Sequence, residues 1–420
     1  MSGMRNAFLV AILGSLATVT YAADWATYRG DNARRGISQE KLSCPLVKQW
    51  EFRTGGPIRS SPVVIGNAVI FGSCDHKVYC LDLKTGKLRW SFITGALVES
   101  TGAAEGELVC IGSDDGNVYA LRVPDGRPAW TFKASDKAHW VGYNDGYFIS
   151  TQAVRGGLAI HNGVVYFSCG VLTFEGGSAC AVRLQDGRLV WQNKEFLVQG
   201  DSHDTALAGA PVVANGNLYF ASGGLATAFD LESGRFLWRR SMEGSTDCLQ
   251  LSLVRDALWT GEAGGTHGTG RVYCLSLDNK LVVAKGFSSG GCYAAPVYVE
   301  DRLYLPIGQR IVALDYGKLI ARCEKGDFAK LEEFAVWRSS PLGSEDQPPI
   351  LCCPALAGEL LLVGGNSGRF VALGIRDGKE AWECQLDGAV TTSPAISQGC
   401  VLVGTQSGIM YCFGSSPKKP

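Results

Sequence analysis

Hydrophobic and polar residues alternate along most of the chain in short runs, which is the pattern of β-strands with one buried face. In five segments a small residue is followed six positions later by glycine and ten positions later by tryptophan. They read CLDLKTGKLRW (80–90), ALRVPDGRPAW (120–130), AVRLQDGRLVW (181–191), AFDLESGRFLW (228–238) and ALGIRDGKEAW (372–382). A Thr-Gly, Asp-Gly or Ser-Gly step between such runs indicates a tight β-hairpin. Each segment therefore predicts two antiparallel strands, with the indole of the second strand covering the small residue. Degenerate copies begin at Cys274 and Ala313 and lack the glycine and the tryptophan.

A second type of hairpin precedes each of these segments. Five examples align without gaps, at residues 60–73, 209–222, 294–307, 352–365 and 392–405. The spacing of apolar residues adds three weaker examples, in which another residue replaces the proline that starts the strand. The eight inner hairpins are anchored at Pro62, Gly102, Gly157, Pro211, Leu251, Pro296, Pro354 and Pro394.

One inner and one outer hairpin together make a unit of four antiparallel strands, which we name A to D. Eight such units of about 50 residues predict an all-β protein, an eight-bladed β-propeller of four-stranded antiparallel blades. A linear solenoid is the alternative, but it needs capping repeats. The last unit stops after its C strand at Cys412, while an unpaired D-like strand lies at residues 48–52. Pairing Trp50 with Cys412 predicts a propeller closed by its N-terminal strand, which removes the open sheet edges.

The N-terminus predicts export. Arg5 precedes an uncharged apolar stretch at residues 7–19, and residues 20–23 offer small side chains for cleavage. This pattern is typical of a cleaved secretory signal peptide, here residues 1–23, and no cysteine follows it to form a lipobox. No later stretch is long and apolar enough for a transmembrane segment. We expect an N-terminal extension at 24–47, the propeller at 48–414 and a C-terminal tail at 415–420, in a periplasmic or secreted protein.

Composition excludes several classes of protein. The chain has 54 glycines among 420 residues without a three-residue period, so it is not collagen. A hydrophobic content of 46% supplies a buried core, so disorder is not expected. The formal net charge of −1 provides no basic field for a phosphate backbone, so we expect no nucleic acid as a partner.

The chain contains 15 cysteines, an odd number that leaves at least one thiol unpaired even in an oxidising compartment. Most lie inside apolar runs, such as Val-Tyr-Cys80-Leu and Val-Tyr-Cys274-Leu, where they are predicted to be small core residues. The spacings match neither a zinc site nor covalent haem attachment, and we predict no metal ligands.

The A-x-D-x-x-T-G-x-x-x-W pattern resembles the tryptophan-docking repeat of propellers of the pyrroloquinoline-quinone (PQQ) type, over residues 50–413. The segment DWATYRG (24–30) is similar to a W-x-x-[FY]-R-G segment of secreted members. The resemblance implies two classes of function. One is that of quinoprotein alcohol dehydrogenases, and the other is that of the non-enzymatic propeller subunit of the outer-membrane β-barrel assembly machine.

The family's dehydrogenases hold the quinone on the propeller axis with a vicinal disulfide, a tryptophan and a calcium ion. The resemblance therefore draws attention to the vicinal pair Cys352 and Cys353, which lies later in the chain than the family's pair. Two arrangements remain open: the adjacent cysteines form a disulfide ring, or they stay thiols, with one in the core and the other facing the channel. Three residues before each proline-equivalent stand Arg59, Glu99, Val154, Ala208, Cys248, Tyr293, Leu351 and Thr391, of which only Arg59 and Glu99 are charged. We predict that these two pair with each other near any axial cofactor, and no set of calcium ligands emerges.

Long loops on a rigid scaffold are the usual carriers of recognition. The spacing of tryptophans predicts two long D–A connections, at residues 131–157 and 324–349. We predict that partner-binding residues gather on this loop face, namely His139, Trp140, His203, Trp337 and Arg338.

These observations favour an exported, monomeric, non-catalytic propeller that scaffolds an envelope protein or peptide, with no catalytic residue and no cofactor. The alternative is a quinoprotein oxidoreductase of alcohols or sugars, with PQQ and calcium near Arg59, Glu99, Cys352 and Cys353. A third interpretation is a sugar- or peptide-binding propeller that uses Trp140 and Trp337.

Overall fold

The computed structural model describes residues 24–136, 138–142, 146–171, 176–196, 209–222, 224–241, 250–262, 271–277, 281–286, 292, 294–324, 331–344 and 350–415. Eight antiparallel sheets follow one another and close into a ring, so the fold is an eight-bladed β-propeller. The fold class and the number of blades predicted from the repeats are therefore confirmed.

Two short segments and four blades occupy the first part of the chain. The strands before blade 1 are β1 (Ile37–Ser38) and β2 (Leu46–Arg53). Blades 1 and 2 contain β3 (Val63–Ile65), β4 (Ala68–Ser73), β5 (Lys77–Asp82), β6 (Leu88–Ile93), β7 (Ala103–Glu105), β8 (Leu108–Gly112), β9 (Asn117–Arg122) and β10 (Pro128–Lys133). A separate hairpin follows, with β11 (Trp140–Gly142) and β12 (Phe148–Ser150). Blades 3 and 4 contain β13 (Ala159–His161), β14 (Val164–Cys169), β15 (Ser178–Arg183), β16 (Leu189–Asn193), β17 (Val212–Ala214), β18 (Asn217–Ser222), β19 (Leu225–Asp230) and β20 (Phe236–Ser241).

The remaining four blades repeat the same order. Blades 5 and 6 contain β21 (Ser252–Val254), β22 (Ala257–Glu262), β23 (Arg271–Ser276), β24 (Leu281–Gly286), β25 (Val297–Val299), β26 (Arg302–Ile307), β27 (Arg310–Asp315) and β28 (Ala335–Arg338). Blades 7 and 8 contain β29 (Ala355–Ala357), β30 (Leu360–Gly364), β31 (Arg369–Gly374), β32 (Glu380–Gln385), β33 (Ala395–Ser397), β34 (Cys400–Gly404) and β35 (Ile409–Ser415). Helix α1 spans Tyr316–Glu324, and short 3-10 helices lie at Tyr28–Gly30, Lys194–Phe196 and Leu331–Phe334.

The eighth blade takes its outer strand from the N-terminal part of the chain. Strand β2 pairs antiparallel with β35, and Trp50 stands opposite Cys412. The register runs from Leu46 opposite Ser415 to Arg53 opposite Ile409. The predicted closure through Trp50 is thus confirmed, and the two ends of the chain complete one sheet.

The repeated tryptophans join neighbouring blades. Trp90 stands opposite Cys80 in its own blade, as predicted, but its indole lies against Gly126 of the next blade. Its Nε1 donates a hydrogen bond to the carbonyl oxygen of Val123 at 2.8 Å. The same contacts recur where a tryptophan meets the next blade's glycine, at the pairs Trp50–Gly86, Trp130–Gly187, Trp191–Gly234 and Trp337–Gly378. The small residue at the start of each copy is therefore the cross-strand partner, while the glycine receives the indole.

A second contact between blades fixes the register of each A strand. An apolar residue before the strand packs on a glycine in the B strand of the preceding blade, as Val98 does on Gly72 and Val154 on Gly112. In blade 3, Ala159 stands opposite Tyr166, as Val63 stands opposite Ile70 in blade 1. Leu158 is therefore the equivalent of Pro62, and the assignment of Gly157 to that position is wrong by one residue. The spacing from the apolar contact residue to the A strand is the same as in blades 1 and 2, from Ile58 to Val63, Val98 to Ala103 and Val154 to Ala159, so the error lies in the sequence alignment of this blade, which has no proline to mark the position.

Blade 6 contains an insertion at a different place from the predicted one. Helix α1 and the 3-10 helix at Leu331–Phe334 lie between strands C and D, so the long segment is a C–D connection rather than a D–A connection. Strand β28 follows, and Trp337 stands opposite Ala313. The copy that begins at Ala313 therefore has its tryptophan, which the insertion has displaced along the sequence.

The segment before β2 runs across the inner edges of the blades. Its carbonyl oxygens accept hydrogen bonds from A-strand amides of blades 1, 2, 4, 5 and 7, with donors at Val64, Ala104, Val213, Leu253 and Leu356. Strand β1 pairs in parallel with β29, which gives blade 7 a fifth strand. We call residues 24–38 the axial segment. It occupies the propeller axis and supplies partners for edges that the ring leaves open.

Two buried arginines hold the axial segment in place. Arg29 donates to the carbonyl oxygens of Arg34, Arg35, Ala295 and Pro296. Arg34 donates to Thr27 Oγ1 and to four carbonyl oxygens, those of Tyr28, Asp31, Leu158 and Pro211. Both side chains are at most 1% exposed. Carbonyl oxygens thus replace water around two charged groups, and each arginine ties the segment to separate blades.

A methyl group at Gly86 tests the contact between tryptophan and glycine. It would lie 2.5 Å from Cδ2 of Trp50, whereas a methyl at Gly106 has no neighbour within 4 Å. Both glycines have positive φ, +67° and +62°. Gly106→Ala should lower the free energy of unfolding only by the backbone penalty of about 1–2 kcal/mol. Gly86→Ala should lower the free energy of unfolding by about 1–3 kcal/mol more than Gly106→Ala does, because the indole must also move. Urea denaturation of both variants measures the difference. Equal losses would contradict the role assigned to the indole.

Replacement of Arg34 by glutamine tests the axial segment. Arg34→Gln leaves several buried carbonyl oxygens without donors, so we expect a loss of at least about 3 kcal/mol in the free energy of unfolding. Arg35→Gln is the matched control, because Arg35 is 61% exposed and its side chain bonds to Asp31 alone among the residues that the structure describes. The control should change stability by less than about 0.5 kcal/mol in the same denaturation series. Similar values for the two variants would show that the segment is not held by Arg34.

Candidate functional site

A cavity of about 190 Å³ lies on the propeller axis, above the axial segment. Tyr28 closes its floor, where the hydroxyl donates to Cys353 Sγ and shares a hydrogen bond with Ser393 Oγ, both at 3.2 Å. The wall consists of residues just before the A strands, namely Arg59, Ser61, Glu99, Thr101, Arg155, Gly156, Gly157, Gly209, Ala210, Gln250, Leu351 and Thr391. The cavity is therefore reached from the face that carries the D–A connections.

Four charged side chains form a chain of ion pairs along this wall. Arg59 Nη1 lies 2.7 Å from Glu99 Oε1, and Glu99 Oε2 lies 3.4 Å from Arg155 Nη1. Arg155 in turn binds Asp114 through Nε and Nη2, at 3.0 and 2.7 Å. The exposed fraction falls from 32% at the Arg59 side chain to zero at Asp114. The network balances two positive with two negative groups.

The predicted pair of Arg59 and Glu99 is confirmed, but sequence reasoning missed Arg155 and Asp114. The error of one residue in blade 3 selected Val154, whose side chain is buried against Gly112, instead of its neighbour Arg155. Asp114 lies in a B–C turn, a position that the sequence reasoning did not inspect for axial residues. Its amide donates to Leu97 just as that of Cys74 donates to Pro57 one blade earlier. The repeat S-[CD]-D at residues 73–75 and 113–115 carries that signal in the sequence.

Burial dominates the electrostatics of Asp114. It raises the pKa of this carboxyl to about 6, with Glu99 and Asp115 adding to the rise and the Arg155 guanidinium opposing it. Arg155 binds Glu99 as well as Asp114, so its guanidinium is not available to Asp114 alone. The Asp114 carboxyl consequently takes up a proton more readily than an exposed aspartate does.

The two adjacent cysteines point to different places. Cys352 Sγ accepts a hydrogen bond from the amide of Gly364 at 3.3 Å, within blade 7. Cys353 Sγ accepts from the Tyr28 hydroxyl and from the Ala295 amide, both at 3.2 Å, at the axis. Both thiols are free. Of the two arrangements left open by the sequence, the structure has one core thiol and one axial thiol.

The described residues of the cavity do not fit a quinone with calcium. Both Glu99 oxygens face arginines and both Asp114 oxygens face Arg155. Within the described ranges, no three His, Cys, Asp or Glu side chains converge as a metal site requires. Cys352 lies inside its blade, and among the described lining residues the one aromatic side chain is Tyr28 at the floor.

The loop face carries an exposed aromatic hairpin. Strands β11 and β12 place Trp140 opposite Ser150 and Gly142 opposite Phe148, so both aromatic side chains lie on one face. Trp140 is 54% and Phe148 70% exposed. The opposite face is buried, because Ile149 packs in a cluster with Leu97 and other apolar residues of blades 1 to 3. The Ser150 amide donates to the Asp114 carbonyl at 2.7 Å, which anchors the hairpin beside the cavity.

The other predicted loop residues have different locations. His139 is exposed at the base of this hairpin, and its amide donates to Thr151 Oγ1 at 3.4 Å. Trp337 and Arg338 lie on strand β28, so their predicted location in a D–A connection is wrong. The Trp337 indole binds blade 7 through the carbonyl oxygen of Ile375, while Arg338 is exposed. His203 lies outside the described residues.

The ring closed by β2, the indoles between blades and the charge-balanced axis define a propeller of the PQQ-like class. The chain matches the family described as outer membrane protein assembly factor BamB at residues 47–286 and 329–414. Because these ranges cover more than half of the chain, it belongs to that family.

Curated relatives agree with this assignment. The outer membrane protein assembly factor BamB of Yersinia pestis is 25% identical over 218 residues, which cover 50% of this chain. That of Salmonella typhimurium is 26% identical over 252 residues, which cover 59% of this chain. The chain spans about half the length of these relatives, 48% in each case.

Solved structures share the fold at low sequence identity. A europium-containing methanol dehydrogenase superposes with a TM-score of 0.71 at 13% identity, covering 93% of this chain and 98% of the other. BamB from Moraxella catarrhalis gives 0.64 at 13% identity, with 88% and 99% covered. Quinohemoprotein alcohol dehydrogenase from Comamonas testosteroni gives 0.70 at 15% identity, with 95% and 82% covered. These likenesses show the fold and leave the function to the site.

Helix length bears on the membrane question. No helix in the described part of the chain has the length and apolar character needed to cross a bilayer.

The pKa of Asp114 generates a prediction on pH dependence. A carboxyl whose pKa is about 6 in the folded state and near 3.9 in the unfolded state binds its proton more tightly when folded. The free energy of unfolding should therefore rise as the pH falls from 7 to 4, by on the order of 2 kcal/mol from this group. Asp114→Asn should remove that rise, and urea denaturation at each pH measures it. Asp136→Asn, at a carboxylate with a 98% exposed side chain, should leave the pH dependence unchanged.

Proposed function

We propose that this chain is an exported, non-catalytic propeller that binds an envelope protein or peptide through its loop face, in the manner of an outer-membrane assembly factor. Membership of the BamB family supports the class of function. The signal-peptide pattern at residues 1–23 supports export to the periplasm or beyond. The propeller acts as a monomeric scaffold that holds a partner near the membrane.

The single observation that carries the proposal is the aromatic hairpin formed by β11 and β12. Monomeric proteins seldom leave two large aromatic side chains on one face of a short hairpin without a partner. Aromatic residues are also the side chains that dominate the binding energy of protein interfaces. The buried face of the hairpin is packed on three blades, so Trp140 and Phe148 are presented by a rigid support.

The state of the axial charges supports binding over catalysis. A general acid or base needs access to a reacting atom. Here the Glu99 and Asp114 carboxylates are engaged with guanidinium groups instead. The quinoprotein dehydrogenase remains the competing class of function, and its signature is stoichiometric uptake of quinone and calcium with dye-linked oxidation of alcohols or sugars. Turnover of that kind by the purified chain would overturn the scaffold proposal.

Removal of the two aromatic side chains tests the proposal. Trp140→Ser combined with Phe148→Ser should weaken binding to the barrel subunit of the source organism's outer-membrane assembly machine by at least about tenfold. Biolayer interferometry with purified proteins measures the affinity. Because both side chains are exposed, thermal stability should stay within about 2 °C of the parent.

A matched double variant controls for loss of exposed apolar surface elsewhere. Leu88→Ser with Val336→Ser removes two side chains that are 49% and 46% exposed on the outer strands of blades 1 and 6. This control should retain the parent affinity. An equal loss of affinity in both double variants would show that the hairpin is not part of the interface. If the parent chain does not bind the barrel subunit, that partner is excluded.

A further inference from the structure

The wall of the axial cavity contains hydrogen-bonding groups that the protein does not use. Ser61 Oγ accepts from the Ser393 amide at 2.9 Å, and Thr101 Oγ1 accepts from the Ser61 amide at 3.0 Å. Thr391 Oγ1 accepts from Gln406 Nε2 at 2.9 Å. None of these three hydroxyl protons has an acceptor among the residues that the structure describes. The wall therefore offers three donors.

One acceptor faces these donors. Gln250 Oε1 is buried at the cavity wall and has no donor within the described part of the chain. Gln250 occupies the same place in blade 5 as Ser61 in blade 1, one residue before the proline-equivalent that starts the A strand. A buried amide oxygen without a partner is unfavourable by about 1–3 kcal/mol. An N–H group of a ligand would relieve that penalty.

In the next two blades of the ring, the cavity is lined by small residues. At the position of Ser61, blades 3 and 4 carry Gly157 and Ala210, and Gly156 and Gly209 precede them. These residues cannot continue the hydroxyl-to-amide bonds that link blades 8, 1 and 2. The cavity therefore has room for a ligand group between the three hydroxyls and Gln250, and Leu351 and Ala210 are its apolar lining.

We propose that the axial cavity binds the C-terminal residue of a polypeptide. Its α-carboxylate accepts hydrogen bonds from Ser61, Thr101 and Thr391, and its backbone N–H donates to Gln250 Oε1. An apolar side chain on that residue contacts Leu351 and Ala210. The carboxylate of Glu99 does not repel the ligand strongly, because Arg59 and Arg155 compensate it. Three donors around one acceptor match a carboxylate followed by an amide better than they match a cation or a wholly apolar group.

This inference rests on the proposed function, since it names the part of the partner that enters the axis. The cavity lies beside the aromatic hairpin, because the Asp114 residue that binds Arg155 on the wall also accepts from Ser150 of the hairpin through its carbonyl oxygen. A partner chain that ends in the cavity therefore passes Trp140 and Phe148. The hairpin contacts the body of that chain and the axis contacts its terminus.

Peptides with free and blocked termini test the inference. The probes are fluorescein-labelled Gly-Ser decapeptides that end in Leu, Val or Phe, each with a free α-carboxylate and as the C-terminal amide. Fluorescence anisotropy with the purified full chain should show saturable one-site binding of at least one free peptide, and amidation should weaken it by about tenfold or more. N-acetyl-leucine should compete, which shows that the terminal residue alone is recognised.

Variants locate the binding site. Gln250→Leu should weaken binding of the free-carboxylate peptide by about tenfold. Thr391→Val serves as a second variant if Gln250→Leu does not fold. Gln192→Leu is the matched control, because Gln192 is also half-buried but lies in blade 3 outside this cavity. The control should bind like the parent.

Several outcomes would overturn the inference. They are the absence of saturable binding, equal affinity for free and amidated peptides, or binding that neither Gln250→Leu nor Thr391→Val changes. A barrel subunit that binds through the hairpin with its C-terminus amidated or removed would leave the proposed function intact and contradict the axial site. If the parent chain does not bind the barrel subunit but binds the free peptides, the axial site stands and the proposed partner is wrong.

Discussion

The pairing of β2 with β35 is the contact on which the rest of the molecule depends. Each blade is a twisted sheet with an open inner and an open outer edge, and eight such sheets in a row would also leave two exposed faces at the ends. Seven register partners between Leu46 and Arg53 join the N-terminal strand to the last blade and convert the row into a ring. Every blade then has two neighbours. Where the next blade has the hairpin glycine, the indole of the preceding blade packs on it.

Closure of the ring creates a second physical problem at its centre. The A strands converge on the axis, and no further strand of a blade can cover their inner edges because the space narrows. The axial segment resolves this by running across the edges as a single extended chain, with its carbonyl oxygens accepting from one A strand after another. Arg29 and Arg34 provide several donors each, which a planar guanidinium can direct to carbonyl oxygens of different blades. The same segment closes the floor of the axial cavity through Tyr28.

Function follows from what this frame leaves accessible. The charged groups near the axis are paired with each other, and this is one ground for the binding role that we propose. The aromatic hairpin beside it belongs to an insertion between blades 2 and 3, a place where the repeat tolerates additional residues without disturbing closure. A fold shared with dehydrogenases at 13–15% identity shows the blade framework alone, because the groups that carry a chemistry are placed on that framework separately.

Blade number, closure strand and fold class could be read from the chain because they depend on local patterns that recur. Alternation selects strands, a glycine after Asp, Ser or Thr selects a turn, and Trp50 stands in the same register as the tryptophans that follow it. The pairing of Arg59 with Glu99 was also accessible, since both occupy one repeat position in adjacent blades. The errors arose where the repeat was interrupted. Blade 3 lacks the proline that marks the start of the A strand, so its alignment was one residue off and selected Val154 instead of Arg155. A helix between strands C and D moved Trp337 away from its expected place.

The sequence by itself determined the period of the fold, because each strand and turn is specified by residues close to it in the chain. Tertiary structure alone decided the rest. It sent the indoles to the next blade, and it brought the axial segment against blades hundreds of residues away. It also gathered Asp114, Arg155 and Gln250 around one cavity. These contacts join residues far apart in sequence, and their geometry exists only when the ring has closed.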